Sequence, residues 1–129
     1  MLIDEYFRDL EKTISECPYI INWEIYKDKR SLYLGFIEGK VEFIDQSKLY
    51  LMEFVDTSQT AERYKYKYQF QDNENRMIFR YDMAPHFSDI KTFPHHKHVK
   101  SGLEAEQVYE SNAPTLKEVI DEICMVFSN

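Results

Sequence analysis

The sequence predicts an α+β fold in which two helices pack on one face of an antiparallel sheet. Three observations support this prediction: an amphipathic helix pattern near each end of the chain, alternating strand-like runs between them, and polar turns that join those runs as hairpins. We expect an N-terminal helix, a bent meander of five or six strands, a loop rich in histidine and proline, and a C-terminal helix. The 129 residues have the length of a single domain, residues 1–129.

Each predicted helix carries one apolar stripe. The N-terminal helix is expected over residues 2–16, before Pro18. The C-terminal helix begins where Thr115 and Glu118 have the spacing of a capping box. Because each helix has a single apolar stripe to bury, both should cover the same face of the sheet. The stripes consist of Ile3, Tyr6, Phe7, Leu10 and Ile14, and of Leu116, Val119, Ile120, Ile123 and Phe127.

The first strands are predicted from runs rich in apolar and aromatic residues, which polar turns separate. The runs are Trp23–Tyr26, Leu32–Ile44 and Leu49–Val55. The phase of alternation changes around Gly39, which predicts a bulge there. A last strand is expected near Leu103–Val108.

Residues 61–82 form the clearest predicted hairpin, with an aromatic face and a basic face. Pairing residues whose numbers sum to 147 places Tyr68 opposite Phe79 on the aromatic face, and Asp82 opposite Lys65 on the other. The basic face carries Arg63, Lys65, Lys67, Arg76 and Arg80. It is either a substrate-binding surface or a solvated strand face whose lysines discourage edge pairing.

Charge is distributed unevenly along the chain. The net charge of −7 argues against general binding to nucleic acid, which depends on basic residues. Residues 60–100, however, hold eight basic residues, five acidic residues and all four histidines. This local basic excess is typical of a surface that faces an anion, although it also arises by chance.

Several features indicate the class of protein. No apolar run is long enough to cross a membrane, and the N-terminus is too acidic for a signal peptide, so we expect a cytoplasmic protein without membrane contact. Cys17 and Cys124 are predicted to be reduced core residues. Glycine-rich nucleotide-binding motifs are absent from the sequence.

The segment after the hairpin carries four histidines. Pro85 and Pro94 exclude a regular helix, so it is predicted to be a stiffened loop. If residues 94–99 are extended, His96 and His98 share one face, and His95 and Lys97 share the other. Three interpretations remain open: a metal site that adds His86 or a carboxylate to the first pair, a metal-free nuclease site, and a structural loop whose imidazoles form local hydrogen bonds or are solvated.

A metal-free nuclease would use one histidine as base and another as acid, with cations on the phosphate. The proposed catalytic residues are His86, His96, His98, Arg80, Tyr81 and Asp82. The proposed substrate-binding residues are Lys97, His95, Lys67, Lys65 and Arg63. Tyr81 or Asp82 would orient an imidazole. Because no carboxylate lies among residues 90–100, we expect no tightly bound metal and no cofactor.

Two strings of this segment resemble a known family. Phe79–His86, with the order Arg80-Tyr81-Asp82, and Thr92–Val99 are similar to motifs of the TumE family, small toxin components of type II toxin–antitoxin systems. The similarity also includes the Asp45-Gln46-Ser47 turn and the Pro114-Thr115-Leu116 helix start. Met83 and Phe87 depart from the family pattern, which usually has Asn and a second His there. The resemblance implies a toxin with a cognate antitoxin, without implying a target or a catalytic set.

The favoured hypothesis is a toxin-like protein that cleaves RNA without a metal. Its alternative is a non-catalytic module that binds a protein partner, the antitoxin or another, through exposed aromatic strands, or a metal-binding protein. Association into a homodimer is a further hypothesis. The nuclease hypothesis predicts that Arg80, His86, His96 and His98 meet in one pocket on the exposed side of the sheet.

Overall fold

A computed structural model of the protein describes residues 1–85 and 87–128, and within them it contains two helices and one seven-stranded sheet. Helix α1 spans Ile3–Glu16 and helix α2 spans Leu116–Cys124. Each strand pairs antiparallel with the next one in the chain. The strands are β1 (Ile20–Lys29), β2 (Leu34–Phe43), β3 (Lys48–Asp56), β4 (Glu62–Gln71), β5 (Met77–Met83), β6 (His95–Val99) and β7 (Gln107–Glu110).

The predicted α+β meander is confirmed, but the expected number of strands was wrong. The additional strand is β6, which lies after Pro94 where a loop was predicted. It pairs with β5 on one side and with β7 on the other. A proline directly before a strand does not remove a ladder hydrogen bond, so Pro94 was no obstacle. The last strand starts at Gln107 rather than near Leu103, whose side chain is fully exposed.

Both helices lie on one face of the sheet, which we call the inner face. Two clusters of buried side chains form the core, one around α2 and the end of α1, and a smaller one under the start of α1. Gly35 allows α1 to approach β2, because a Cβ there would lie 2.7 Å from the ring of Phe7 and 2.8 Å from the side chain of Ile3. Thr115 and Glu118 form the predicted capping box.

The expected bulge near Gly39 was wrong. The β1–β2 register continues through Gly39, and the buried side chains of β2 keep odd numbers, as at Ile37 and Val41. The phase change was inferred from Leu32, which lies in the preceding turn, and from Leu34 and Phe36, which are half-buried residues of β2. A glycine is favoured at position 39 because a Cβ would lie 2.7 Å from the backbone oxygen of Glu24.

The β4–β5 hairpin has a longer turn than the sequence predicted. The numbers of the paired residues sum to 149 over most of the hairpin, instead of the predicted 147, so Tyr68 lies opposite Tyr81. The carboxylate of Asp72 accepts hydrogen bonds from the N–H groups of Glu74 and Arg76, which holds this turn. Because the register differs by two residues, the side chains of residues 67–70 and 79–82 keep their faces but change their partners. Asp82 therefore lies opposite Lys67 rather than Lys65.

Cys17 and Cys124 are both free, as predicted, with their sulfur atoms 3.1 Å apart. Their contact joins the end of α1 to the end of α2. Neither described helix is long and apolar enough to span a membrane.

Candidate functional site

Four polar side chains come together on the outer face of the sheet, opposite the helices. Arg80 lies across from His98 in the β5–β6 pair, and Asp82 lies across from His96. Since alternate residues of a strand point to the same face, the four side chains share the outer face. We call Arg80, Asp82, His96 and His98 the outer-face cluster.

The carboxylate of Asp82 is the centre of the outer-face cluster. Its Oδ1 lies 3.2 Å from Nε2 of His98 and 3.7 Å from Nδ1 of His96. Its Oδ2 accepts a hydrogen bond of 3.1 Å from Nε of Arg80. On the far side of His98, Nδ1 lies 3.0 Å from Oε2 of Glu106. The cluster is therefore a continuous chain of charged and imidazole groups.

Both histidines of the cluster are buried, so neither is a solvated imidazole, which was one of the interpretations left open by the sequence. His96 has no exposed surface, and 4% of His98 is exposed. The ring of Phe87 packs edge-on against both imidazoles, and the ring of Phe93 packs against His96. Within residues 1–85 and 87–128, neither ring nitrogen of His96 has a hydrogen-bond partner. Burial of an imidazole without hydrogen-bond partners lowers the free energy of unfolding.

The prediction that His95 and Lys97 lie on the other face of β6 is confirmed. Nδ1 of His95 lies 2.8 Å from the hydroxyl of Tyr66, and the two rings stack. Burial, together with the neighbouring positive charge of Arg63, lowers the pKa of His95. Nζ of Lys97 lies 3.4 Å from Oε2 of Glu122 on α2. These two side chains face the helices rather than the outer-face cluster.

Tyr81 is also an inner-face residue, so the structure does not place it where it could orient a cluster imidazole. Its hydroxyl donates to Oε1 of Glu122 at 2.6 Å. Burial and this carboxylate raise the pKa of the Tyr81 hydroxyl. Of the two proposed orienting residues, only Asp82 touches the histidines of the cluster.

Arg63 lies on the inner face, which corrects its predicted place on the basic face. A register shift between Phe54 and Val55 turns the start of β4, so Arg63 pairs with the buried Val55. Its guanidinium donates to the hydroxyl of Tyr68 and to the carbonyls of Ala113 and Pro114, at 2.7 to 3.0 Å. Arg63 thus connects β4 to the start of α2.

A groove runs along the outer face toward the cluster. It has a volume of about 820 Å³. Lys67 lies between the groove and the cluster, since it pairs with Met52 on β3 and with Asp82 on β5. The basic residues Lys65 and Lys67 therefore remain on the outer face, as predicted. The groove is lined by Glu24, Tyr26, Phe36, Glu38, Lys40, Tyr50, Met52, Lys65 and Lys67, among others.

Comparison with known proteins identifies the family. The family model described as Toxin TumE matches residues 10–125, most of the chain. The chain belongs to the TumE family. No curated protein and no solved structure matched it. Membership in this toxin family suggests an antitoxin as partner.

The two strings that resembled TumE are the two strands of the outer-face cluster. The first, Phe79–His86, includes most of β5 with Arg80 and Asp82, and the second, Thr92–Val99, contains β6 with His96 and His98. His86, proposed as a catalytic residue, lies outside the described residues. In this TumE-family chain, the motif strings therefore bring one carboxylate, one guanidinium and two imidazoles together.

Sequence reasoning missed two carboxylates. No sequence pattern indicates a role for Glu106, because it precedes β7 in an exposed polar stretch. The sequence does mark Glu53, since the alternation of β3 places this carboxylate at a core position. In the structure, 1% of Glu53 is exposed. It accepts hydrogen bonds from the hydroxyls of Tyr6 and Tyr68, while burial raises its pKa. Because Glu53 lies on the inner face beneath α1, it anchors that helix in this TumE-family chain.

Proposed function

We propose that this TumE-family chain is the toxin of a toxin–antitoxin pair and that it binds and cleaves RNA on its outer sheet face. One observation carries the proposal: the outer-face cluster continues into a groove that offers both aromatic rings and lysines. Aromatic rings can stack on RNA bases, and lysines can bind the phosphates.

The groove has a basic end and an acidic part, which determines where RNA would enter. Lys65 and Lys67 lie on β4, next to the cluster, whereas Glu24 and Glu38 lie on β1 and β2. Phosphates would therefore lie at the β4–β5 side, where Arg80 adds a further positive charge. A protein of net charge −7 would hold RNA there rather than over its whole surface.

The exposed ring of Tyr50 is a stacking surface in the part of the groove beside this basic end. It lies on β3, with 36% of the residue exposed, and lines the groove together with Lys67. Tyr26, 60% exposed, lies further along the groove on β1. Stacking on such rings tolerates different bases, so we expect weak sequence preference from the groove itself.

The metal-free mechanism remains a prediction. It requires one imidazole to take the 2′-hydroxyl proton and another to protonate the leaving oxygen, and His86, His96 and His98 are its proposed acid and base. Since the rings of Phe87 and Phe93 pack against His96, these two side chains would have to move before RNA reached that imidazole. Cleavage in the presence of a strong chelator tests this mechanism.

A second function, binding of a protein partner without catalysis, is supported by the exposed aromatic residues of β1. This strand forms one edge of the sheet, and Trp23 and Tyr26 are 41% and 60% exposed. An edge strand with unpaired backbone groups accepts an added strand from an antitoxin or from a second copy of the chain. Light scattering after size-exclusion chromatography would test the homodimer.

A comparison of paired lysine variants tests the RNA proposal. Lys65→Ala/Lys67→Ala removes the basic end of the groove, and Lys12→Ala/Lys117→Ala removes two exposed helix lysines as a control. We expect growth inhibition and RNA fragmentation from the wild-type chain and the control, and loss of both from the groove variant. Growth inhibition without RNA cleavage by any of the three proteins would instead support toxicity through protein binding.

A further inference from the structure

We propose that Asp82, His96 and His98 bind one divalent transition-metal ion, with Zn²⁺ as the probe of choice. Each residue offers one ligand atom, and these atoms lie within 4.8 Å of one another. Two imidazole nitrogens and one carboxylate oxygen form a donor set that suits Zn²⁺ and other first-row divalent ions.

The two separations between Asp82 and the imidazoles are close to those expected around a shared ion. Two ligand atoms each about 2.0–2.1 Å from a tetrahedral ion lie about 3.3 Å from each other. Oδ1 of Asp82 lies 3.2 Å from Nε2 of His98 and 3.7 Å from Nδ1 of His96. The second distance is too long for a hydrogen bond, but it differs by only a few tenths of an ångström from the separation expected across an ion.

The state of His96 is the second, independent observation. Its imidazole is completely buried, and in the described part of the chain neither ring nitrogen has a hydrogen-bond partner. Buried polar groups are rarely left in this state without an unrecorded ligand or ion. A metal at Nδ1 would pair this imidazole and explain why β6 places it next to Asp82.

The groups around the three ligands hold them in a ligating arrangement. Nδ1 of His98 lies 3.0 Å from Oε2 of Glu106, and Nε2 lies 3.2 Å from Oδ1 of Asp82. With an ion bound at Nε2, Nδ1–H would donate to the Glu106 carboxylate. This is the carboxylate–histidine–metal arrangement of known metal sites. Arg80 binds Oδ2 of Asp82, which leaves Oδ1 for the ion.

Three protein ligands leave at least one coordination position open, which is typical of catalytic rather than structural metal sites. With their ligating nitrogens occupied, His96 and His98 could not also exchange protons with RNA, so a bound metal would replace the metal-free mechanism. The sequence-based expectation of no metal considered carboxylates only among residues 90–100. Asp82 reaches the histidines from the neighbouring strand instead.

Metal titration of the full chain tests this proposal without RNA. Chelator-treated protein is titrated with Zn²⁺ in a calorimeter, and with Co²⁺ while its visible absorption is recorded. We expect one equivalent of metal to bind per chain, and the absorption spectrum of bound Co²⁺ to be typical of nitrogen and oxygen ligands. Glu106→Gln should weaken binding about 10- to 100-fold, since it loosens the orientation of His98.

His96→Leu is the decisive variant, and His95→Gln is its control. The first removes a buried imidazole that has no partner within the described residues, so the metal-free variant should fold at least as stably as wild type while its affinity falls more than about 100-fold. The second changes the neighbouring histidine on the inner face and should keep the metal. Thermal unfolding with and without Zn²⁺ should show a shift for wild type and the control only.

The proposal is overturned if wild type and His96→Leu bind Zn²⁺ equally, since that would be surface binding, or if wild type binds none. If His96→Leu fails to fold, Asp82→Asn, which keeps the side-chain shape, gives the same decision. Because binding is measured without RNA, failure of the proposed RNA cleavage would leave this result unchanged.

Discussion

The guanidinium carbon of Arg63 lies 4.2 Å from the centre of the Tyr66 ring. The same guanidinium binds the carbonyls of Ala113 and Pro114, directly before α2. Ala113 has a positive φ of 51°, which an alanine adopts only when its surroundings hold it there. Arg63 therefore fixes the backbone that leads into the C-terminal helix.

Arg63→Met should lower the free energy of unfolding by about 2–3 kcal/mol, because charge-assisted hydrogen bonds to two backbone carbonyls are lost. Lys65→Met, on the outer face of the same strand, is the matched control and should change stability by less than about 0.5 kcal/mol. Urea unfolding measures both. A stable Arg63→Met protein with impaired RNA binding would instead support the substrate-binding role proposed from sequence.

Tyr6→Phe should destabilise the protein by about 1–3 kcal/mol, since it leaves a buried oxygen of Glu53 without its donor. Tyr26→Phe removes an exposed hydroxyl and serves as control. Chemical denaturation compares the two variants. Equal stability of both would show that the Tyr6 hydroxyl does not anchor α1.

Glu53 should make the stability depend on pH. Burial raises its pKa in the folded protein, so above the ordinary value of about 4.5 the folded state holds this proton more tightly than the unfolded state. This contribution is fully present below that value and is lost as the pH rises through the folded pKa. The stability of wild type relative to Glu53→Gln should therefore decrease from pH 4 to pH 8. Denaturation curves at several pH values measure this difference, and a constant difference would contradict the prediction.

The parts of the fold that follow from side-chain alternation could be predicted from the sequence. Alternation placed Tyr66 and Tyr68 inward and Lys67 outward, and it put His96 and His98 on one face. Arg63 was misplaced because the register shift opposite it is a property of the backbone that no residue type marks.

The composition of the outer-face cluster could be predicted only in part. The histidines and Arg80 stand out in the sequence, but the approach of Asp82 and Glu106 depends on strand register and on the path of the chain after β6. A two-residue error in the hairpin register was enough to give Asp82 the wrong neighbour on β4. Contacts between strands therefore required the structure.

Cys124 should react slowly with alkylating reagents at neutral pH. Burial and the neighbouring thiol of Cys17 raise its pKa to about 12, so very little reactive thiolate is present. Mass spectrometry after iodoacetamide treatment should find Cys124 unmodified in the folded chain and modified in urea. Complete modification of Cys124 in the folded protein within minutes would contradict the raised pKa of this half-buried thiol.

Lys67→Ala should weaken RNA binding about equally for different sequences, because a lysine beside Asp82 and the groove is placed to contact phosphate rather than base edges. Removing one phosphate contact should reduce the slope of log K against log salt by about 0.7 for a single strand. Fluorescence anisotropy with 2′-O-methyl RNA, which resists cleavage at the 2′ position, measures the slope at several salt concentrations. Lys117→Ala changes an exposed lysine of α2 and should leave the slope unchanged. If Lys67→Ala and Lys117→Ala give the same slope as wild type, RNA does not bind at the β4–β5 end of the groove, and the exposed aromatic edge of β1 becomes the next surface to mutate.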